Sequence, residues 1–318
     1  MLITVAICTF NRAASLKRTL DSLAAMRVPN GLDWELVVVN NGCADATDDV
    51  LGSFADRLPV RREFEPRRGL SHARNRAVDA SNGDYIIWTD DDVVVDQGWL
   101  AAYAAAFQGW PDAAVFGGPI IPRFDPPPPA WLAESQALVG GAFSERDLGD
   151  SVQPLGLPGD RIPYGANFAL RSREQRNFRY NPNLGHGAGR RRLSEEVEVI
   201  ERILAAGGTG YWIPQAKVEH CIGQDRQTEP YLVGFFVAAG ETRGYLSDGR
   251  TAPRMLLGVP RWLWRVLFEQ WVRYRLHRLA SPAPVWVSHL RDYALAKGEI
   301  GYWRSRNIRS ERPSPSSH

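Results

Sequence analysis

The first 90 residues alternate between short apolar segments of strand length and longer segments with helical periodicity. Strands are predicted over Leu2–Cys8, Trp34–Val39, Val60–Glu65 and Tyr85–Trp88. Helices are predicted between them, over Ser15–Met26, Ala46–Leu58 and Leu70–Ala80. Because the connections are short, this alternation predicts a parallel β-sheet with right-handed crossovers, flanked by helices. A chain of 318 residues is long enough for one large domain or two closely associated ones.

The strand Tyr85–Trp88 runs into three adjacent acidic residues, Asp90, Asp91 and Asp92. The carboxyl edge of an open α/β sheet is where ligands bind. Since side chains alternate along a strand, we expect Asp90 and Asp92 to point the same way and Asp91 to point elsewhere. A divalent cation would neutralise the repelling carboxylates, and hard oxygen ligands suit Mg²⁺ or Mn²⁺. An isolated triplet fits a solvated acidic turn or a helix N-terminus better, so the surrounding sequence has to decide.

Beyond the triplet the predicted elements are less regular. Val93–Phe107 is predicted to be mainly helical and Ala113–Pro119 to be a strand. The proline-rich stretch Pro122–Ala130 is incompatible with a helix or a central strand, so it is predicted to be a stiff extended connector. A helix is then expected over Ser194–Ala206, and Tyr211–Cys221 has the pattern of a strand.

Composition places the chain among ordinary globular proteins, with 44% hydrophobic and 23% charged residues. The three cysteines are too few and too scattered for a disulfide framework, which favours a reducing compartment. No signal peptide and no apolar run long enough to span a bilayer are recognised. A cytoplasmic location is therefore expected, with the inner face of the plasma membrane as an alternative.

Four short motifs occur in a fixed order, each at a strand end or at the start of the following helix. They are Thr9-Phe-Asn-Arg12, Val37-Val-Val-Asn-Asn-Gly-Cys-Ala-Asp45, Gly69-Leu-Ser-His-Ala-Arg-Asn75 and Asp90-Asp-Asp92. Together they resemble the family 2 glycosyltransferases, and the resemblance covers residues 2–222. It implies the glycosyltransferase-A fold, a Rossmann-like, mainly parallel sheet flanked by helices, here with a C-terminal helical extension.

The resemblance also implies roles for particular residues in binding the nucleotide-sugar. Asn40 stands where the family has an aspartate that contacts the base, and its amide can both donate and accept hydrogen bonds. Asn167 belongs to a segment, Tyr164–Arg171, that resembles one lining the sugar site. The residues implied in nucleotide-sugar binding are Thr9, Asn11, Arg12, Asn40, Asp45, Arg74, Asp90, Asp91 and Asn167.

Metal binding and catalysis are implied in the same way. Asp90 and Asp92 correspond to the metal-binding DxD motif, and His220 stands where some relatives place a further ligand. A lone histidine is as well explained by a structural role. Glu196 takes the place of the catalytic aspartate, with Glu195 as the fallback. Acidic residues also stabilise helix N-termini without any catalysis, so this segment alone does not decide.

A glycine-rich stretch, Leu184–Gly189, followed by three arginines, Arg190–Arg192, resembles a flexible loop that closes on the donor. Glycines permit such motion and arginines suit phosphate. A solvated basic loop would have the same composition.

These features predict an inverting, Mn²⁺- or Mg²⁺-dependent glycosyltransferase that uses a nucleotide-diphospho-sugar, with a UDP-sugar as the first candidate. The acceptor is expected to be a glycan or a lipid-linked glycan in bacterial polysaccharide or envelope synthesis, and no nucleic acid is expected as a partner. The alternatives are a sugar-phosphate nucleotidyltransferase and a degenerate nucleotide- or glycan-binding module. Residues 1–121 would bind the nucleotide-sugar, 122–222 would complete the domain with acceptor and catalytic residues, 223–309 would form a basic helical extension, and 310–318 a disordered tail.

The C-terminal part of the chain is strongly basic. Residues 250–318 contain 12 Arg and 1 Lys against 4 acidic residues, a net charge of +9, and residues 1–249 therefore carry −7. Within this part, Leu256–Arg278 is predicted to be an amphipathic helix interrupted near Pro260. Its apolar face, with Leu263, Leu267, Trp271 and Tyr274, could lie on an anionic membrane, or could pack on the catalytic domain or on a second copy in a homodimer.

Overall fold

A computed structural model describes residues 1–157, 161–187, 190–248 and 254–310, without the side chains of residues 190–191 and 307–310. The chain forms two compact units. The first contains Met1–Arg123, Phe143–Arg190 and Ser194–Cys221; the second contains Phe124–Ala142, Arg191–Leu193 and the chain from Ile222 onward. Most of the predicted disordered tail, residues 311–318, and residues 188–189 of the predicted glycine-rich loop lie outside the described residues.

The strands are β1 Leu2–Thr9, β2 Asp33–Asn40, β3 Val60–Phe64, β4 Tyr85–Thr89, β5 Val93–Val95, β6 Val115–Gly117, β7 Ile120–Asp125, β8 Gln153–Pro154, β9 Asn167–Arg171, β10 His186–Gly187, β11 Arg190–Arg191, β12 Gly210–Trp212, β13 Val218–Gly223, β14 Met255–Leu256 and β15 Val259–Pro260. The helices are α1 Ala13–Ala25, α2 Thr47–Gly52, α3 Leu70–Ala80, α4 Trp99–Gly109, α5 Ala130–Val139, α6 Ser172–Asn177, α7 Glu195–Ala205, α8 Glu229–Ser247, α9 Arg261–Ala280 and α10 Ala283–Ser310. Two short 3₁₀ helices cover Gly140–Phe143 and Gln224–Arg226.

The first unit is built on an eight-stranded sheet in the order β3-β2-β1-β4-β9-β6-β12-β8. β1 pairs in parallel with β2 and β4, and β2 pairs in parallel with β3. β9 is antiparallel to both of its neighbours, and β12 is parallel to β6. The predicted mainly parallel sheet is therefore confirmed, with antiparallel β9 inserted in its middle and β8 antiparallel to β12 at its edge.

The strands are apolar on both sides because helices cover both faces. Alternate residues of β1 enter different clusters: Ile3, Val5 and Ile7 pack with α1 and α4, whereas Ala6 packs with α3 and α7. Burial of each large side chain in these layers stabilises the fold by about 1.5–3 kcal/mol. The sheet is thus a rigid platform, and its polar residues collect at the strand ends.

The strand order changes direction next to β1. The chain proceeds from β1 to β2 and β3 on one side and returns to β4 on the other side. The connections that leave the carboxyl ends of β1 and β4 therefore diverge, which opens a crevice between them. Thr9 ends β1 and Asp90 follows β4, so the first and last of the four motifs meet at this switch point.

Three predicted elements of the first unit differ in the structure. The helix predicted over Ala46–Leu58 covers only Thr47–Gly52. Val93–Phe107 is not one helix, because Val93–Val95 forms strand β5 and the helix begins only at Trp99. Tyr211–Cys221 is not one strand, because β12 ends at Trp212 and β13 begins at Val218. β5, β13 and β7 form a separate three-stranded sheet in that order. Pro122 is tolerated within β7 because this strand lies at the edge of that sheet.

The second unit is a helical assembly in which α8 and α10 cross closely. A Cβ atom placed on Gly240 of α8 would lie 2.0 Å from the carbonyl oxygen of Leu295, and one on Gly298 of α10 would lie 1.9 Å from that of Val237. Only glycine permits the two backbones to approach to this distance. Within the described part of the chain, no helix has the length and apolar content needed to cross a membrane.

The predicted helix Leu256–Arg278 is shorter at its start. Residues Met255–Leu256 and Val259–Pro260 form a small antiparallel hairpin, and the helix α9 begins at Arg261. Pro260 precedes the first helical residue, a position where proline has no hydrogen bond to lose.

We predict that Gly298→Ala lowers the free energy of unfolding by about 1–3 kcal/mol, because the new methyl group must push α8 and α10 apart. Gly301 on the same helix is the matched control, since a Cβ atom there would meet no atom within 4 Å. Gly301→Ala should be neutral or stabilise by up to about 1 kcal/mol through helix propensity. Urea unfolding followed by circular dichroism measures both variants, and equal midpoints for the two would contradict the close crossing.

Candidate active site

Two acidic residues after β4 share one arginine from the loop after β1. Nη1 of Arg12 donates to Oδ1 of Asp91 at 3.1 Å and to Oδ2 of Asp92 at 2.8 Å. The hydroxyl of Thr9 donates to Oδ2 of Asp91 at 2.7 Å. Both aspartates are buried, whereas the Arg12 side chain is 44% exposed and reaches solvent. The first and fourth motifs are thereby joined through charge-assisted hydrogen bonds.

The expected alternation of the three aspartates is wrong. The structure pairs Asp91 with Asp92 on Arg12 and leaves Asp90 apart, with its Oδ1 3.8 Å from Nη2 of Arg74. The physical reason is that β4 ends at Thr89, so the triplet lies in a turn where strand alternation no longer applies. Burial raises the pKa of the Asp91 carboxyl to about 6, although Arg12 opposes the shift.

His220 of β13 lies beside Asp92. Its Nε2 is 3.3 Å from Oδ1 of Asp92, and its Nδ1 is 2.6 Å from the carbonyl oxygen of Phe143. When Nδ1–H donates to that carbonyl, Nε2 of the neutral imidazole and the Asp92 oxygen are both lone-pair donors, so a cation could bind both of them. Histidines that bind metals usually donate their other ring N–H to a carboxylate or a backbone carbonyl, as His220 does here. The structure thus brings together two of the three predicted metal ligands.

Asp90 is not gathered with this pair. Among the residues that the structure describes, no group of three or more His, Cys, Asp or Glu side chains is placed to hold a metal ion. Magnesium-type ions, however, are commonly held by one or two carboxylates together with substrate phosphates. The oxygen and nitrogen donors of Asp92 and His220, with Asp90 in the same turn, therefore fit a divalent cation whose remaining ligands are substrate phosphates.

Arg74 of α3 is buried rather than an exposed surface arginine, with only 3% of its side chain exposed. Its guanidinium carbon lies 5.4–5.7 Å from the ring centroids of three aromatic residues, Trp88, Phe168 and Tyr180. Nη1 is 3.5 Å from Oε1 of Glu195. Burial disfavours the charge, but the nearby carboxylates, Glu195 first, raise the pKa of Arg74 above its ordinary value.

Glu195 and Glu196 open helix α7 and differ in their surroundings. Glu195 is buried, whereas Glu196 is half-buried and accepts the backbone N–H of Gly165 at 3.1 Å. Burial raises the pKa of both carboxyls, and the charge of Glu195 adds to the shift of Glu196, whose pKa rises to about 7. Glu196 is therefore the carboxylate of the pair that combines access with a pKa near neutrality.

Gly165 is a site residue that sequence reasoning missed. A Cβ atom on Gly165 would lie 3.0 Å from Nη2 of Arg74 and 3.3 Å from Oε1 of Glu196. The absence of a side chain therefore lets both charged groups approach the backbone. The signal in the sequence was its place two residues before Asn167, within the segment Tyr164–Arg171 that resembles one lining the sugar site.

The predicted role of Asn167 in the sugar site is corrected by the structure. Its side chain is fully buried, with Oδ1 accepting from Nε1 of Trp99 and the hydroxyl of Tyr103, both at 2.9 Å. Its Nδ2 donates to the carbonyl oxygens of Pro119 at 3.0 Å and Ala216 at 2.6 Å. All four of these bonds are made within the protein, so the amide ties three parts of the core together instead of facing a sugar.

Asn40 is also used within the protein. Its Oδ1 accepts the backbone N–H groups of Gly42 at 3.0 Å and Cys43 at 2.7 Å, and its Nδ2 donates to Oδ1 of Asp48 at 2.9 Å. The side chain is buried at the end of β2. Asn40 shapes the turn after β2, and its partners do not support the predicted contact with a base.

Asn11 and Asp45 connect the loops after β1 and β2. Oδ1 of Asn11 accepts the N–H of Ala44 at 2.8 Å, and Oδ2 of Asp45 accepts the N–H of Ala13 at 2.9 Å. A hydrogen bond from the Thr47 hydroxyl, with others from the backbone, lowers the pKa of the Asp45 carboxyl. Asp45 thereby satisfies free N–H groups at the starts of α1 and α2.

An exposed aromatic residue at the same edge was also missed. Phe10, between Thr9 and Asn11, is 40% exposed, and the guanidinium carbon of Arg68 lies 4.3 Å from its ring centroid. Nη2 of Arg68 reaches the carbonyl oxygen of Gly42 at 3.4 Å. The pair offers a flat cationic surface beside the loops after β1 and β2.

Arg192, predicted to act with Arg190 and Arg191 as a phosphate-binding loop, belongs to the second unit. It is buried, and its Nε donates to Oε1 of Glu241 at 3.2 Å, so it serves the helical assembly. The side chains of Arg190 and Arg191 lie outside the described residues.

Comparison with known proteins identifies the family of the chain. The chain matches the family described as Glycosyl transferase family 2 over residues 4–173, more than half of its length, and it belongs to that family. It is therefore a glycosyltransferase by family, as its motifs predicted.

Among curated proteins, the chain is 28% identical over 250 residues to the "Succinoglycan biosynthesis protein ExoM" of Rhizobium meliloti, covering 77% of this chain and 74% of that protein. It is 25% identical over 238 residues to the "Glucosyl-dolichyl phosphate glucuronosyltransferase" of Haloferax volcanii, covering 73% of each.

Among solved structures, the chain is similar to the mannosyltransferase PcManGT from Pyrobaculum calidifontis in complex with GDP-Man and Mn²⁺, with a TM-score of 0.62, 15% identity, and coverage of 98% of this chain and 88% of that one. It is also similar to S. aureus TarS 1-349 in complex with UDP-GlcNAc, with a TM-score of 0.53, 15% identity, and coverage of 93% and 90%. These likenesses confirm the predicted glycosyltransferase-A fold.

We predict that Asn167→Leu destabilises the protein without changing nucleotide affinity. The substitution leaves the Trp99 indole N–H, the Tyr103 hydroxyl and the Ala216 carbonyl without their partner, and each buried unsatisfied group costs about 1–3 kcal/mol. Tyr103→Phe removes one of the same hydrogen bonds and should cost about 1 kcal/mol. Thermal unfolding and calorimetric titration with UDP report the two properties separately, and a loss of affinity in stably folded Asn167→Leu would return this residue to the donor site.

Proposed function

We propose that this protein is an inverting, metal-dependent glycosyltransferase in which Glu196 is the general base. The observation that carries the proposal is the half-buried Glu196 carboxyl, whose pKa of about 7 lies near the pH of the cell. Arg74 lies between this carboxylate pair and the acidic turn, within 3.5 Å of Glu195 and 3.8 Å of Asp90. The base and the acidic turn are thereby held in one charged network.

The donor is a nucleotide-diphospho-sugar, with a UDP-sugar as the first candidate. Two of the similar structures are complexes with GDP-Man and UDP-GlcNAc, which supports this class of donor. Arg12 presents its exposed guanidinium at the switch point, where it can pair with phosphate. Phe10 and Arg68 offer the base a surface for stacking.

Asp90, Asp92 and His220 would hold a divalent cation, Mn²⁺ or Mg²⁺. When bound, such an ion stabilises the negative charge of the departing nucleoside diphosphate. The chain itself fixes the imidazole of His220 through the carbonyl of Phe143 and holds Asp92 through Arg12. These contacts limit the motion of both ligands before the donor arrives.

Glu196 would accept the proton of the acceptor hydroxyl while that oxygen attacks the anomeric carbon. Burial and the charge of Glu195 make Glu196 a stronger base than a solvated glutamate. The Gly165 N–H holds one of its oxygens, which fixes the direction of the other. A single displacement with one base inverts the anomeric centre and needs no covalent intermediate.

The acceptor is proposed to be a glycan or a lipid-linked glycan in polysaccharide synthesis on the cytoplasmic side of the membrane. This class is supported by the two curated relatives, a succinoglycan biosynthesis protein and a glucosyl-dolichyl phosphate glucuronosyltransferase. Membership of the glycosyltransferase family argues against a nucleotidyltransferase. The raised pKa of Glu196 favours a catalyst over a binding module.

We predict that Asp92→Asn weakens UDP binding by about ten-fold or more when Mn²⁺ is present and leaves the affinity in EDTA unchanged, since the lost carboxylate acts through the metal. Asp21→Asn is the matched control, because Asp21 pairs with Lys17 and Arg57 on the surface of the same unit. Isothermal titration with and without Mn²⁺ measures the difference. Equal losses with and without the metal would remove the metal from the proposal.

We predict that Glu196→Gln lowers the transfer rate by about two to four orders of magnitude while the KM for the donor changes little. The wild-type rate should rise with pH through about 7, because Glu196 is active as a base only after losing its proton. This rise should be absent in the residual activity of Glu196→Gln.

Glu195→Gln provides the comparison within the same turn of helix. Its side chain pairs with buried Arg74, so we expect a loss of stability together with a smaller loss of rate. Transfer assays across pH, combined with thermal unfolding, distinguish the two variants. If Glu195→Gln instead removes the pH-dependent rise in a folded protein, Glu195 is the base.

A further inference from the structure

Helix α9 has an apolar face that is left exposed, and it is not the face that the sequence pattern indicated. Leu263 is buried, Leu267 packs against the same cluster, and the Tyr274 hydroxyl donates to Oε2 of Glu229 at 3.0 Å. Three of the four residues of the predicted membrane face thus pack within the second unit. Trp271, the fourth, is 44% exposed.

The opposite side of α9 carries large apolar side chains in solvent. Phe268 is 68%, Leu276 is 64% and Leu279 is 84% exposed. Arginines are interleaved with them, so that Phe268, Arg275 and Leu279 follow one another at seven- and four-residue spacing along one side of the helix. We call this surface the outer face of α9, defined by Arg261, Arg265, Phe268, Arg275, Leu276 and Leu279.

The hairpin before α9 adds further exposed apolar residues. Leu257 at its tip is 80% exposed, and Met255 and Leu256 are 45% and 49% exposed. Leu257 has a φ of 52° and Gly258 a φ of 73°, both in the left-handed region, so the tip is a tight turn. The indole N–H of Trp264 donates to the carbonyl oxygen of Leu256 at 3.0 Å, which attaches the hairpin to the helix.

The charge of α9 restricts what can cover this surface. The helix contains five arginines and one glutamate, and that glutamate, Glu269, pairs with Arg273 at 2.6 Å. Arg261, Arg265 and Arg275 are exposed, and no ion pair is seen for them among the described residues. A second copy of the chain would set this positive surface against itself, and like charges repel.

We propose that the outer face of α9 and the hairpin tip bind the surface of an anionic lipid bilayer. The helix lies in the plane of the headgroups, over a length of about 30 Å for its 20 residues. Phe268, Leu276 and Leu279 enter the acyl boundary, and the arginines pair with lipid phosphates. A nucleic acid would satisfy the arginines but offers no apolar layer for the leucines.

The test is sedimentation of the full-length protein with vesicles at low salt. We expect the protein to bind vesicles of phosphatidylglycerol and phosphatidylcholine, to bind pure phosphatidylcholine at least about ten-fold more weakly, and to be released as salt screens the charge. The triple variant Phe268→Ser/Leu276→Ser/Leu279→Ser should lose at least about ten-fold in affinity for the mixed vesicles. Arg265→Gln/Arg275→Gln should bind the mixed vesicles more weakly at low salt, because two arginines that pair with lipid phosphates have lost their charge.

Matched controls keep the result specific to this surface. Phe64→Ser removes a phenylalanine that is 53% exposed on strand β3, and Arg27→Gln/Arg57→Gln removes two exposed charges from the first unit. Both controls should bind vesicles as the wild type does. UDP affinity in Mn²⁺ and thermal unfolding should be unchanged in the triple variant, which separates this proposal from the catalytic one.

Three outcomes would overturn the proposal. The wild type could remain in the supernatant with phosphatidylglycerol, or the triple variant could bind as well as the wild type. The third is a wild-type dimer by light scattering that becomes monomeric in the triple variant, without vesicle binding by either form, which would assign the surface to a contact between copies.

Discussion

The site depends on keeping the charge of Arg74 inside the protein. Three aromatic rings surround its guanidinium, so the charge cannot be relieved by water and has to be balanced by carboxylates. Glu195 is the nearest, and Asp90 lies on another side. A buried cation thus fixes where acidic groups can be placed, and it links α3, the turn after β4 and the start of α7 in a single electrostatic unit.

This balance explains the different behaviour of two neighbouring glutamates. Burial raises the pKa of both carboxyls, but Glu195 is engaged by the arginine, while Glu196 also feels the charge of Glu195 and its pKa rises to about 7. The reactivity proposed for Glu196 therefore originates largely in residues that never touch a substrate. The second acidic group, Asp91 and Asp92, is organised in the same way by Arg12, which is partly exposed and can respond to ligand phosphate.

Much of the fold could be predicted from the sequence, because strand and helix periodicities in the first 90 residues are regular and their order allows few topologies. The position of the motifs at strand ends followed from the same alternation.

The arrangement of Asp90, Asp91 and Asp92 could not be predicted, since it depends on where β4 stops. Asn167 and Asn40 illustrate a second limit: an amide in a family motif serves equally well as a core or loop hydrogen-bonding group, and only its partners distinguish the two. Helix α9 shows a third limit. Its apolar residues lie on two sides, and the sequence alone does not indicate which side the neighbouring helices cover.

Gly165 has a further consequence for how the enzyme could be studied. Its backbone is not in the left-handed region, and the atoms that a methyl group would meet are the tips of two flexible side chains, Arg74 and Glu196, rather than backbone. Alanine at this position would therefore leave the sheet intact and shift only the side chains of Glu196 and Arg74 by a few tenths of an ångström. Such a variant would retain the donor loops and disturb the proton transfer proposed for Glu196, which would make it a means of trapping donor and acceptor together without altering any ionisable residue.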